Sequence, residues 1–322
     1  MILYFRYTLF IATIFVIGCT RSFNQDEAIR SLKVLNSDLA NLFLTAGEMP
    51  EMAALRYLWN QPTAPLPFPN EKFTFDKPYT SYNFEGAKGI YLWDTLISGF
   101  VKQSDYEAVS IFFSGNTFPN AHFRITEFES LPISSRPDFP VLMGATMFID
   151  NQQYMQINHT ATVEDELPLK INTNISGRDY KISGTFNRTR SGDKGTFTSQ
   201  LIVDYEPNRI IEFRLNATIG YSNMGYYFEK INFDILLFRH TITGKIDYDM
   251  INPTAEDYAT SFNTHSNIEI FERPMKRKVG NIFLAQVNQG ELLDYHVRFR
   301  NNEKELLSEY LPIINKILNV KS

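Results

Sequence analysis

Between residues 141 and 300 apolar and polar side chains alternate with a period of two, which is the pattern of β-strands buried on one face only. Phe197, Leu201, Val203 and Tyr205 oppose Thr196, Thr198, Gln200 and Asp204. Ile211, Phe213, Leu215, Ala217 and Ile219 oppose Glu212, Arg214, Asn216 and Thr218, and Ile242, Ile246, Tyr248 and Met250 oppose Thr241, Thr243, Lys245 and Asp247. Near the end Leu293, Tyr295, Val297 and Phe299 oppose Asp294, His296, Arg298 and Arg300. Turn residues recur at Asp150-Asn151, Glu164–Glu166, Gly177–Asp179, Ser191–Lys194, Pro207-Asn208 and Tyr221–Gly225. The intervals leave strands of about ten residues, longer than the usual five or six. Even spacing with local turns predicts an antiparallel meander.

Such a sheet needs a cover for its apolar face. Two amphipathic segments offer one. Ile29, Leu32, Leu35, Leu39, Leu42 and Ala46 recur at steps of three and four, which predicts a helix over 25–46 with Asn24 as its N-cap and Gly47 as its stop. A second helix is expected at 303–319, kinked at Pro312. A short helix follows Pro50, and Pro62, Pro65, Pro67 and Pro69 then enforce an extended strap. Lys72–Asp76, Tyr79–Glu85, Val109–Phe113 and His122–Glu129 read as strands, Asp94–Val101 reads as either element, and Pro132–Pro140 reads as a loop. Two helices, each about 10 Å wide, cannot hide the face of so many strands. The expected fold is therefore α+β, mainly β: a long antiparallel meander (141–300) after a helical and mixed part (24–140), curling into a half-barrel or barrel and capped by an N-terminal and a C-terminal helix. Any face left open is an apolar concavity, with Phe213, Leu215, Ile246 and Tyr248 as its candidate ligand contacts.

The first 18 residues read differently. Arg6 is their only charge, and a run that is apolar except for Thr13 extends from Leu9 to Ile17, too short for a hydrocarbon core of about 30 Å and right for the central part of an export signal. The run ends Val16-Ile17-Gly18-Cys19, with a branched apolar residue three positions before the Cys and a small residue directly before it. Here the chain resembles bacterial lipoprotein precursors through their lipobox. The resemblance implies that residues 1–18 are a signal peptide and that Cys19 becomes the lipidated first residue of a single globular body, 19–322, held by palmitate-type acyl chains. Several chains together hold a protein at a membrane durably, since each buried methylene contributes about 0.8 kcal/mol. An N-terminal segment that is never cleaved is the alternative. Surface-displayed lipoproteins of the Bacteroidota resemble one another in acids directly after the Cys, and here Thr20 to Asn24 carry none, so an outer-membrane anchor facing the periplasm is expected. The layout of helix, long meander and apolar interior is similar in architecture to the LolA/LolB-like lipoprotein carriers, with no shared motif that transfers residues.

The rest of the chain narrows the function classes by what it lacks. With 31 Lys+Arg against 36 Asp+Glu the net charge is −5, which argues against nucleic acid as a partner. One Cys excludes an internal disulfide and any multi-Cys metal site. His122, His159, His240, His265 and His296 are too far apart for a local two-His motif, and Asp247–Asn252 lacks the Gly and Glu of a calcium loop. No nucleophile elbow, P-loop or dinucleotide fingerprint occurs. No catalytic residue, metal or cofactor is expected. Should a polar cleft exist, His159 with Glu127 and Glu129 is the place to look. Trp59 and Trp93 read as core and not as a sugar platform. Three classes follow: a binder of lipid or another hydrophobic ligand, an accessory lipoprotein docking on an outer-membrane protein, and, behind both, an enzyme. A transmembrane barrel shows the same alternation, but a helical C-terminus opposes it.

Overall fold

The computed structural model of the chain describes residues 22–67, 82–133, 136–222, 225–252, 257–286 and 293–312. Cys19, the apolar run before it, Pro69, the expected strand 72–76 and residues 313–319 of the expected last helix lie outside the described residues. The helices are α1 (Gln25–Glu48), α2 (Pro50–Trp59), α3 (Phe84–Ala87), α4 (Tyr258–Thr264) and α5 (Leu307–Tyr310). The strands are β1 (Gly89–Asp94), β2 (Gly99–Ser104), β3 (Val109–Gly115), β4 (Phe118–Ile133), β5 (Arg136–Ile149), β6 (Gln152–Glu164), β7 (Leu167–Gly177), β8 (Tyr180–Ser191), β9 (Lys194–Tyr205), β10 (Asn208–Ser222), β11 (Gly225–Leu237), β12 (His240–Asp247), β13 (Ser266–Glu272), β14 (Arg277–Gln286), β15 (Leu293–Arg298) and β16 (Lys304–Leu306).

The strands form one sheet in sequence order from β16 down to β3, then β1 and β2. Of the two closures expected, the full barrel is therefore excluded: the order has two ends, and the sheet is open. β1 pairs in parallel with β3, and the other described pairings are antiparallel. Turn chemistry sets the meander. Asp150-Asn151 and Asp165-Glu166 have positive φ at both positions, the backbone of two-residue hairpins whose twist matches the flanking strands.

Several expectations are corrected. Pro132–Pro140 is not one loop, because β4 runs to Ile133 and β5 begins at Arg136, with 134 and 135 outside the described residues. The prolines of these strands, which cannot donate to a ladder, sit where the register slips, beside Leu131/Ile133 and beside Glu129/Ser130. Tyr79–Glu85 is not a strand through its end, since Asn83 caps the short α3 by accepting from the Gly86 N–H at 2.9 Å. The expected helix over 303–319 starts later than its rhythm suggests: Lys304–Leu306 form strand β16, the helix α5 spans Leu307–Tyr310, and 313–319 lie outside the described residues. Tyr248 leaves the sheet for a single 3₁₀ turn, Tyr248–Met250.

The described residues form two compact units. One comprises 43–189 and 199–209 and is built around α2. Pro50 takes the first helical position, where its missing N–H costs nothing. Ala54 and Leu58 are fully buried against Val109 and Ile111 of β3, Phe123 and Ile125 of β4, and Met147 of β5. Register explains the row, because Ile111, Phe123, Met147 and Met155 are cross-strand partners in turn. The strap holds to this unit: Thr63 Oγ1 accepts the Phe100 N–H at 2.8 Å, and the Tyr82 hydroxyl donates to the Pro65 carbonyl at 2.8 Å. Trp93 packs edge-on to Phe100 at 5.2 Å, whereas Trp59 is exposed.

The other unit comprises residues 22–42, 190–198 and the described residues from 210 to 312. Asn24 and Glu27 form a capping box at the start of α1, each side chain accepting the other's backbone N–H, at 2.9 and 3.0 Å. Ala28, Leu32, Leu35 and Leu39 are buried, in a core shared with Ile242, Ile268, Ile270 and Val279. Burying three leucines gives α1 several kcal/mol of anchoring, at about 2 kcal/mol each.

Candidate functional site

The residues with a claim to function are judged by where the register places them. Phe213, Ile235, Ile242 and Ile270 are successive cross-strand partners, and Leu215, Phe233, Gly244 and Ile268 form the next row. Partners share a face, so all eight face the side on which α1 packs. Burial changes along each row. Ile242, Ile268 and Ile270 are sealed, while Phe213, Leu215, Ile231, Phe233 and Ile235 on β10 and β11 are half-buried. The Phe233 ring lies in the place a Cβ at residue 244 would occupy, so a glycine there keeps the ring flat on the sheet. A half-open apolar strip thus borders the core.

Of the four residues singled out in the sequence, Phe213 and Leu215 belong to this strip. Ile246 is half-buried at the margin of the core, opposite Ile231. Tyr248 does not join them, since the 3₁₀ turn carries it off the strand and leaves it exposed. The α2 unit repeats the arrangement: beyond the sealed strands, Ile157, Ile175 and Ile182 are partners in one row and Ala161, Ile171 and Phe186 in another, all half-buried.

The polar candidates are not brought together. His159 lies on that second apolar face with both ring nitrogens engaged: Nε2 donates to the Pro140 carbonyl at 3.1 Å, so Nδ1 accepts from the Thr173 hydroxyl at 2.8 Å. Glu127 and Glu129 flank Phe128, whose partner Met143 pairs in turn with His159; the two acids therefore point to the opposite face. Among the described residues, no group of three His, Cys, Asp or Glu could hold a metal. No described helix is long and apolar enough to cross a membrane.

The sequence reading missed a buried cluster of three. Ser31 Oγ lies 2.8 Å from His240 Nε2 and 2.5 Å from Glu272 Oε2, with Ser31 and His240 both buried. The residue types are those of a hydrolase triad, but the wiring differs. A carboxylate only accepts, so the hydroxyl proton goes to Glu272 and His240 Nε2–H donates to Ser31 Oγ. His240 then has no lone pair toward Ser31, and its Nδ1 finds no partner among the described residues. The histidine cannot act as base on that hydroxyl, and the cluster ties α1 to β12 and β13 instead. Burial holds the His240 imidazole below its ordinary pKa. A signal existed: Ser31 sits on the apolar stripe of α1, and His240 is in phase with Ile242 and Ile246.

Two further groups are perturbed in the α2 unit. Glu51, buried in the first turn of α2, is pushed up by desolvation, with Asp179 adding to the effect. His122 is pushed down by burial between Phe112 at 4.1 Å and Phe148 at 5.6 Å. Two hollows among the described residues have charged side chains in their lining: one of about 320 Å³ around Lys278, Arg298 and Arg300, and one of about 460 Å³ around Arg178, Asp179 and Asp204. Comparison of the chain with known family models, with characterised proteins and with solved structures finds no match to any of them.

Proposed function

We propose that the chain is a lipoprotein anchored through Cys19 at the outer membrane, facing the periplasm, and that it binds an acyl chain or similar hydrophobic molecule on its half-open apolar strip. The observation that carries the binding half is the strip itself: five apolar side chains of β10 and β11 stay only partly buried directly beside a sealed core. A face of this kind loses about 25 cal/mol of unfavourable hydration for each Å² that a ligand covers. The sequence before Cys19 carries the anchoring half.

The accessory-protein reading would use a sheet edge or an apolar rim. The edges are poorly suited to strand addition. β16 has three residues, and on β2 the Phe100 N–H is already taken by Thr63. Of the two routes, strand addition at an edge is the less suited, and the apolar face is the binding surface proposed here. No catalytic role is assigned to the Ser31, His240 and Glu272 cluster, which is wired as a tie.

Two measurements test the two halves separately. The mass of the Cys19 peptide from cell-made protein reads the anchor; an unmodified thiol rejects it. Titration of the full chain with a fluorescent fatty acid reads the strip. Leu215→Asp in the half-buried row weakens binding if the strip is the site, and unchanged binding rejects it.

A further inference from the structure

A second feature goes beyond the hydrophobic strip and rests on the lipoprotein reading of Cys19. The hollow of about 320 Å³ at the start of α1 is lined by Ser22, Lys278, Gly280, Asn281, Arg298 and Arg300, among others. Three of its lining residues are cations and none is an acid, in a chain whose net charge is −5. Lys278 Nζ is joined to Glu269. Arg298 and Arg300 have no carboxylate partner among the described residues. The Arg298 guanidinium rests on the Phe283 ring at 4.8 Å, and the Lys304 ammonium faces the same ring at 5.5 Å, which gathers further positive charge at this end of β15.

The hollow is a product of local backbone. Ile270 pairs with Gly280 and Phe271 with Lys278, so Val279 is an extra residue in β14, and the bulge re-aims the side chains around it. Gly280 permits the close approach of β15, because a Cβ there would stand 2.6 Å from Val297 Cγ2 and 2.9 Å from the Arg298 carbonyl oxygen.

Its place in the chain supplies the partner. The Phe23 N–H donates to the Lys278 carbonyl at 3.0 Å, and Arg277 closes over the Phe23 ring at 3.9 Å, so the chain just before α1 is pinned at the hollow. Cys19 is three residues before Ser22, a span of at most about 11 Å even when fully extended. Acyl chains on Cys19 lie in hydrocarbon, and the headgroup layer above it is only about 5–8 Å deep. We propose that this hollow is a headgroup site, in which Arg298, Arg300 and Lys278 bind the phosphate of an anionic phospholipid in the leaflet that holds Cys19. Arginine suits the task through its planar fork of donors. A basic cluster beside an acyl anchor supplies the second signal that fixes a protein's orientation on a membrane.

The test reconstitutes the full-length protein, held by acyl chains or by an uncleaved leader, in lipid nanodiscs. One set is phosphatidylcholine alone and the other contains one third phosphatidylglycerol. Phenylglyoxal modification of each arginine is followed by mass spectrometry, with Arg214 on β10 as the internal reference. Arg298 and Arg300 react about tenfold more slowly in the anionic discs, a change that Arg300→Gln reduces at Arg298 and high salt abolishes. Equal rates in the two discs overturn the proposal. Equal slowing by inorganic phosphate with phosphatidylcholine discs also overturns it, in favour of a site for the free anion. The mass of the Cys19 peptide is read in the same sample. Slowed arginines with an unmodified Cys19 reject the lipoprotein reading alone, and a modified Cys19 with equal rates rejects the headgroup site alone.

Discussion

Ser31 on α1 and His240 on β12 are 209 positions apart in sequence, and their side chains meet at 2.8 Å inside the core. The Ser31 hydroxyl also holds Glu272, so one oxygen on the helix satisfies two polar groups on the sheet. Ser31→Ala leaves both without that partner and costs about 1–3 kcal/mol, the desolvation of buried groups left unpaired. Thermal unfolding of the variant checks this; an unchanged midpoint means that the tie contributes nothing.

Acid weakens the protein through its histidines. Burial lowers the pKa of His240 and of His122 from the ordinary 6.5. A depressed folded-state value means that the neutral ring is favoured on folding. The stability contribution is then fully present above pH 6.5 and is lost as pH falls through the lower folded-state value. Urea unfolding between pH 8 and pH 5, as a rough window around that value, shows the loss. His122→Phe keeps the aromatic stack between Phe112 and Phe148 and flattens the slope.

Glu51 works in the opposite sense. Its folded-state pKa is raised, chiefly by desolvation, so its contribution is present below the unfolded carboxylate value and is lost as pH rises through the folded one. Glu51→Gln therefore stabilises the α2 unit at neutral pH by a few degrees of midpoint and has no effect near pH 4, the ordinary carboxylate range. A destabilised variant at pH 8 would show that the ionised carboxylate is needed, contrary to its burial.

Arg188 is a buried guanidinium that donates to three hairpin carbonyls, those of Pro168 at 3.0 Å, Glu164 at 2.9 Å and Leu167 at 3.4 Å. Arg188→Lys keeps the charge but loses the fork, and amide exchange of the β6–β7 hairpin speeds up by about tenfold for each 1.4 kcal/mol lost. Unaltered exchange there would place the stability of the hairpin elsewhere.

Much of the sheet was legible because a period of two leaves little freedom. Phe213 and Leu215 fall on the face that the alternation assigns them, and α1 begins at the capping box of Asn24 and Glu27. Long-range events were not legible. Nothing local announces that β4 and β5 extend through Pro132 and Pro140, since bulges absorb the prolines. Leu306 shares the helical rhythm of Leu307 and Tyr310, but pairing of residues 304–306 with β15 holds it in a strand, while Leu307 and Tyr310 lie in α5. Tyr248 keeps the alternation of its strand, which ends one residue earlier. Ser31 and Glu272 are 241 positions apart, a contact that only the fold makes.

The central claim is that the half-open strip of β10 and β11 holds a hydrophobic molecule. Photo-crosslinking with a diazirine fatty acid, followed by peptide mapping of the labelled full-length protein, tests it most directly. The account predicts label in peptides covering residues 211–217 and 231–235, displaced by excess unlabelled fatty acid. Label confined to other strands, or label that excess fatty acid does not displace, would contradict it.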